Sequence, residues 1–188
     1  MPKKPKKPKN PDTTKGRSHG RSGRDLPTAT LGTRRKVPYT YEPTLLEAIP
    51  LGERDIAVDH AWVSFNALRF TSLCPVTGHP DWADIFVNYI PDASLVESKS
   101  FKEYLTSFRM HGDFHEDVCR TICDDLVRCM RPRYCEVIGH FDSRGSIAIW
   151  PYVQYAKPGD SHAQAVRQHR LLDYAPGRWA IASYARNI

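Results

Sequence analysis

Two runs of apolar–polar alternation meet at Leu73-Cys74-Pro75-Val76-Thr77-Gly78-His79-Pro80-Asp81, and this junction constrains the fold more than any other stretch. Before it, within residues 56–72, Ala61, Val63, Phe65 and Ala67 share one parity. After it, within residues 82–90, Ile85, Val87 and Tyr89 do the same. A period of two places alternate side chains on opposite faces, so each run predicts a strand. Thr77-Gly78 and Pro80 between them punctuate the backbone and predict a turn. The outcome is a hairpin-like pair whose loop carries Cys74 and Asp81. A thiol beside a carboxyl group is a chemically usable pair, with sulfur as nucleophile and the acid as proton donor. A small buried structural cysteine is the competing reading.

The next elements follow in order. Phe101, Tyr104, Leu105 and Phe108 keep helical spacing, which predicts a helix from about Ser98 to Met110. Its first turn holds Ser98 and Ser100 as possible caps and Lys99 and Lys102 as cations. Cations at a helix start oppose the macrodipole. They point either to an anion site, helped by free backbone N–H groups, or to a merely solvated helix start.

His111-Gly112 breaks that helix. Asp113 and Glu116 then read as a capping box opening a second helix that runs to about Arg131. Cys119, Ile122, Cys123, Leu126 and Met130 fall on one side of it. They are expected in the core rather than at a metal, because no Cys-x-x-Cys pair or tight His partner completes a ligand set. Strands are predicted at 134–141 and 146–155, with Pro151 marking an edge or bulge, and a short helix at 161–173. Beyond Tyr174 the pattern is not legible.

Strand, strand, helix, helix, strand, strand predicts an α+β fold: a four-stranded antiparallel sheet with a helix pair on one face. Its edges are open and its second face needs cover. Closure into a barrel would remove the edges, and one chain has too few strands, so several copies are expected to pool their sheets with sites where they meet.

Charge divides the chain. Residues 1–36 hold twelve Lys/Arg and two Asp, a net of +10, and the remainder holds fifteen Lys/Arg and nineteen Asp/Glu, a net of −4. The Lys/Pro and Gly/Ser/Arg composition cannot build a core, so residues 1–40 are expected to be a disordered basic tail and 41–188 a single domain. The tail reads as a polyanion contact or as a solubilising appendage. Pro38, Pro43 and Pro50 forbid long regular structure in the transition at 37–55. Five cysteines, an odd number without a secretory h-region, fit reduced thiols in the cytoplasm. No apolar run approaches the ~20 residues that span a bilayer.

Three blocks, taken together, resemble the 7-cyano-7-deazaguanine reductases, the nitrile reductases of queuosine biosynthesis. They are Leu73-Cys74-Pro75-x-Thr77-Gly78-x-Pro80-Asp81, Val96-Glu97-Ser98-Lys99-Ser100-x-Lys102 and His111-Gly112-Asp113-Phe114-His115-Glu116-Asp117. The resemblance covers roughly Phe70 to Gly159. It implies the tunnelling fold, assembled as an oligomeric barrel of rings, usually two stacked pentamers. It further implies Cys74 as the nucleophile that forms a covalent thioimide with the nitrile carbon, and Asp81 as proton donor to the nitrogen. Val96, Glu97, Ser98, His115 and Glu116 are implied as substrate contacts. Lys99, Lys102 and Arg144 are implied as holders of the NADPH phosphates. No G-x-G-x-x-G follows a strand, so a Rossmann unit is not expected to carry the cofactor. Glu103 departs from the pattern, standing where an apolar or aromatic residue is expected.

Two other classes compete. An archaeal relative of the same fold keeps the Cys/Asp pair but forms an amidine on tRNA; it lacks the Glu-Ser-Lys-Ser segment present here. A non-catalytic RNA-binding module would rest on the tail alone, and the acidic body argues against it. Nucleic acid is therefore not expected to be required.

Overall fold

The computed structural model describes residues 38–52 and 61–174. In chain order its elements are β1 (Ala48–Pro50), β2 (Val63–Leu73), β3 (Pro80–Ile90), β4 (Ser94–Val96), α1 (Ser98–Ser107), α2 (His115–Met130), β5 (Tyr134–Phe141), β6 (Tyr152–Ala156) and α3 (Ser161–Leu172). Residues 1–37, 53–60 and 175–188 lie outside the described residues. So do the expected tail, apart from its last three residues, and the start of the first expected strand.

The predicted hairpin forms. β2 and β3 pair antiparallel from Val63↔Tyr89 to Leu73↔Pro80, with a register shift between Ala67 and Phe70. Arg69 sits in that irregularity at φ 62, and its N–H donates to Asp84 Oδ1 at 3.0 Å. A side-chain acceptor thus satisfies a backbone donor that the ladder leaves out. The full sheet runs β2-β3-β5-β6, antiparallel throughout, with β2 and β6 at its edges.

Alternation decides the faces. Ala83, Ile85, Val87 and Tyr89 of β3, with Cys135, Val137 and Phe141 of β5, share the main core with α1 and α2. From α2, Val118, Cys119, Ile122, Cys123, Leu126 and Met130 are all at most 2% exposed, so the expected core stripe is present. Burial of each large apolar side chain contributes about 1.5–3 kcal/mol. The close approach of α2 to β5 requires Gly139: a Cβ there would lie 2.6 Å from Cys119 Sγ and 2.8 Å from a Phe141 ring carbon. Arg131 in the left-handed region ends α2, with Pro132 following.

The opposite face is covered in part by α3, a role its sequence did not reveal. Ala163 packs with Ile90, Tyr134 and Ala156. Arg170 clamps the fully buried Glu136, Nη2 to Oε1 at 2.6 Å and Nε to Oε2 at 3.1 Å. Tyr134, Tyr152 and Asn88 complete the carboxylate's partners at 2.5, 2.7 and 2.8 Å. Burial pushes the Glu136 carboxyl up, but these hydrogen bonds outweigh it and hold its pKa below the ordinary value.

Within the described part of the 37–55 transition the elements are short, as its prolines require: β1 pairs antiparallel with β4, Ala48 opposite Val96, and a 3-10 turn covers Pro43–Leu45. Two expectations need correction. The expected strand at 146–155 is confined to Tyr152–Ala156. Gly145 and Ser146 have positive φ and Arg144 turns back onto Ile147, which leaves Ile147 68% exposed. The capping box does not form. Phe114 is the N-cap of α2 without a side-chain bond, and Asp113 Oδ1 instead accepts the Phe114 N–H at 2.9 Å.

Candidate active site

Pairing along the hairpin places Ser72 opposite Asp81 and Leu73 opposite Pro80, so the nucleophile candidate emerges one residue past the ladder. The loop closes on itself: Cys74 N–H donates to His79 C=O at 2.8 Å, and Gly78 N–H to Cys74 C=O at 2.9 Å. Gly78 at φ +68 makes this turn possible without Cβ strain. On the other side Leu73 N–H donates to His111 C=O, and Asp113 N–H donates to Leu73 C=O. The link between α1 and α2 is thereby fixed against the end of β2.

Cys74 is 8% exposed. Its thiol pKa is lowered to about 7. The Thr77 hydroxyl is the main cause, joined by the amides of Thr77 and Val76 and by Arg144, against an opposing contribution from burial. The other thiols differ. Burial pushes Cys119 and Cys129 up, and a hydrogen bond from Cys123 followed by burial does so for Cys135. Cys74 is thus moved toward the thiolate at neutral pH, whereas Cys119, Cys129 and Cys135 are moved away from it.

Asp81 is 3% exposed and sits between two cationic or ionisable neighbours. His115 Nε2 is 3.1 Å from Oδ2 and Arg144 Nη1 is 3.1 Å from Oδ1. Neither contact has hydrogen-bond alignment. Both carboxylate oxygens, both ring nitrogens of His115 and the Ser72 hydroxyl are buried without a hydrogen-bond partner among the described residues. Buried polar groups are normally paired. Five orphaned atoms gathered at one end of the core mark a place built for a polar guest. The His115 ring is itself held by stacking on Phe141, centroids 3.9 Å apart and 8° from parallel.

The remaining candidates divide. Val96 is buried at the end of β4. The Glu97 carboxylate caps α1, accepting from Lys99 N at 3.0 Å and Ser100 N at 2.6 Å. Ser98 and Glu116 are exposed. Lys99 Nζ lies 4.0 Å from Glu103, which is buried at 5% exposure. Lys102 is exposed and lines a groove of about 440 Å³ between β2 and α1. Ser98, Arg69, Thr106 and Arg109 share its wall. This donor set suits a phosphate-bearing ligand.

Within one chain these two groups stand apart. Phe101 packs on Phe65 and Phe108 on Phe70, so α1 runs in the same direction as β2, with its N-terminus at the end away from Cys74. α1 and the following 3-10 turn separate Ser98 from His111 by about 20 Å.

Sequence reasoning missed Ser72 and Thr77. The register partner of Asp81 and the third residue after the cysteine were the only signals for them. No group of three His, Cys, Asp or Glu side chains placed to hold a metal is found among the described residues. Nor is any helix there long and apolar enough to cross a membrane.

A β2-β3-β5-β6 antiparallel sheet backed by a helix pair, with a thiol and an acid at the hairpin end, is a tunnelling-fold architecture. The crystal structure of the archaeosine synthase QueF-Like in the apo form shares this fold, with a TM-score of 0.50 and 19% identity over 53% of this chain and 98% of that one. The family described as QueF-like protein matches residues 80–160. The NADPH-dependent 7-cyano-7-deazaguanine reductase of Bdellovibrio bacteriovorus is 48% identical over 166 residues, 88% of this chain and 95% of the relative. The enzyme of the same name from Exiguobacterium sibiricum is 51% identical over 152 residues, 80% of this chain and 91% of the relative. The chain belongs to the 7-cyano-7-deazaguanine reductase family.

Proposed function

We propose that this protein reduces the nitrile of 7-cyano-7-deazaguanine to the aminomethyl group at the expense of NADPH, in the queuosine branch of tRNA modification. The pairing of a lowered thiol pKa at Cys74 with a buried carboxyl group at Asp81 carries the reading.

Cys74 attacks as the thiolate. A carbon–sulfur bond forms, one π bond of the nitrile opens, and Asp81 gives its proton to the nitrogen. The product is a thioimide on Cys74. Asp81 is left as a carboxylate facing Arg144 and His115, both within 3.1 Å, which stabilise that charge. The carbon–sulfur bond later breaks and Cys74 leaves as the thiolate its hydrogen bonds favour. When bound, NADPH supplies one hydride in each of the two reductions. Lys99 and Lys102 take its phosphates. Arg144, 44% exposed, contributes from the acid's side with donors not used by Asp81. Val96, Glu97 and Ser98, together with His115 and Glu116, hold the base. Glu97 acts through the backbone it organises.

The separation between Ser98 and Cys74 makes the complete site a product of two copies. One copy supplies Cys74, Asp81 and His115, and its neighbour supplies Val96–Ser98 and the lysines. The open edges of β2 and β6 are the natural joints of such an oligomeric barrel, and stacked pentamers are its form. Residues 41–188 form the catalytic domain, working in the cytoplasm without nucleic acid.

The test is to incubate purified protein with 7-cyano-7-deazaguanine and NADPH and follow the absorbance of the reduced cofactor. Two NADPH oxidised per aminomethyl product are expected. Absence of cofactor oxidation by the folded, assembled protein would end the reading.

A further inference from the structure

We propose that the groove between β2 and α1 receives the adenosine half of NADPH, with Arg109 and Arg69 recognising its 2′-phosphate and so selecting NADPH over NADH. The proposal rests on NADPH as the reductant and adds two residues to the cofactor's contacts.

The groove is built in two levels. At one, Phe65 and Phe101 pack with ring centroids 5.1 Å apart, and their chain neighbours Asn66 and Lys102 line the walls. At the other, Phe70 and Phe108 pack at 5.5 Å, and their neighbours Arg69 and Arg109 line the walls. On the helix side Ser98, Lys102 and Thr106 recur four residues apart and share one face, with Arg109 following them. Helical rise separates Lys102 from Arg109 by about 11 Å. Two phosphates of one dinucleotide can therefore meet different cations.

Charge points to the occupant. No Asp or Glu among the described residues lines the groove, while Arg69, Lys102 and Arg109 all do. Residues 37–188 carry a net −4, so general basicity does not account for this cluster. Like charges around one cavity of about 440 Å³ repel one another and favour an anion between them. The floor, however, is apolar, with Phe65, Phe70, Phe101 and Leu105 exposed to it. An apolar floor under a cationic wall suits a nucleotide better than a free phosphate.

Both arginines are positioned for this contact. The Arg109 guanidinium lies over the Tyr39 ring, 5.3 Å from its centroid. Stacking holds the group in place and leaves its in-plane N–H donors available. Arg69 sits in the β2 irregularity at φ 62, its N–H bound to Asp84 Oδ1 at 3.0 Å. A bulge re-aims a side chain, and here it brings Arg69 to the groove. On its other side Arg69 borders Asp84 and Asp142, which offset part of its charge, so Arg109 contributes more. Two guanidinium forks match the oxygens of one phosphate dianion. NADH presents a hydroxyl at that place and leaves them unused.

The experiment is isothermal titration calorimetry of NADPH and of NADH into the assembled full chain, without nitrile substrate. Circular dichroism and size exclusion check the fold and assembly of each variant. Wild type should bind NADPH more tightly than NADH. Arg109→Ala should weaken NADPH binding by about 10- to 100-fold, the loss of a charge-assisted contact, and Arg69→Ala by less. Neither should change NADH binding. Arg109→Lys, which keeps the charge, should retain part of the preference. Lys102→Ala should weaken both cofactors alike, because it acts on phosphates that both possess. Unchanged NADPH affinity in folded Arg109→Ala would overturn the proposal. So would equal weakening of NADPH and NADH in that variant, since a distorted groove and not a lost phosphate contact would then be responsible. The nitrile assay can fail while the preference for NADPH persists. The arginine variants can leave that preference unchanged in a protein that still reduces the nitrile. The two readings therefore fail separately.

Discussion

Arg144 Nη1 lies 3.1 Å from Asp81 Oδ1, and the same guanidinium helps to lower the pKa of the Cys74 thiol, after the larger contribution of Thr77. One guanidinium from the β5–β6 connection thus acts on both members of the pair on the β2–β3 hairpin. Removing it should be felt first by the thiolate. With 7-cyano-7-deazaguanine and no NADPH, the rate of adduct formation should rise with pH through about 7 in the wild type, following thiolate. In Arg144→Ala the rise should come at higher pH, and NADPH should also saturate at higher concentration. Intact-mass analysis across the pH range checks the first part and initial-rate kinetics the second. An unchanged pH profile would remove Arg144 from the nucleophile's surroundings.

Attack does not need hydride, so substrate alone should leave its mass on the protein. Cys74→Ala should carry none. Cys74→Ser should be nearly inactive, because an alcohol is a far weaker nucleophile than a thiol poised at neutral pH. An adduct persisting in the alanine variant would assign the nucleophile to another residue.

Cofactor and base contacts should separate. Lys102→Ala should raise the KM for NADPH by about 10- to 100-fold, the equivalent of a charge-assisted hydrogen bond of about 1.5–3 kcal/mol. Adduct formation should be unaffected. Glu116→Ala should impair adduct formation while leaving assembly intact. Equal loss of the adduct in both assembled variants would contradict the division.

Arg170 is the cation that allows Glu136 to be charged while fully buried. Arg170→Ala should destabilise the protein by about 3 kcal/mol, since removal of one partner strands a buried carboxylate. The pH sign follows from the direction of the shift. In the wild type the folded Glu136 pKa is lowered, so its stabilisation is present above the unfolded value of about 4.3 and is lost as pH falls through the folded value. In Arg170→Ala that loss should begin at higher pH. Urea unfolding at pH 4, 5 and 7 measures both effects.

Deletion of residues 1–36 should leave reduction and assembly unchanged, because the motif blocks begin after Phe70. A truncation that assembles but loses reductase activity would place the tail in the site. RNA retention by the full-length chain alone, falling steeply with salt, would give the tail a separate electrostatic role.

Several features were legible in the sequence because they are local. Period-two runs around a Gly/Pro turn specified the hairpin and put Cys74 and Asp81 at its end. Helical spacing from Cys119 to Met130 decided that Cys119 and Cys123 are core residues. The order of these patterns was enough for the sheet-and-helix-pair architecture. Other features depend on segments distant in sequence. A three-residue strand such as β1 has too short a period to detect, and it exists because β4 pairs with it. Spacing does not show that the Glu97 carboxylate caps the free N–H groups of α1. Asp113 looked like a cap, but the chain enters α2 one residue later. Helical pattern alone did not say that α3 lies on the sheet's other face; the buried Glu136 opposite Arg170 decides that. Nor does spacing reveal that Ser72, Asp81 and His115 gather unpaired polar atoms at one point while Ser98 stands some 20 Å away along α1. Sequence order fixes which groups are present. Their distances and their hydrogen-bond partners exist only once the sheet has brought distant strands together.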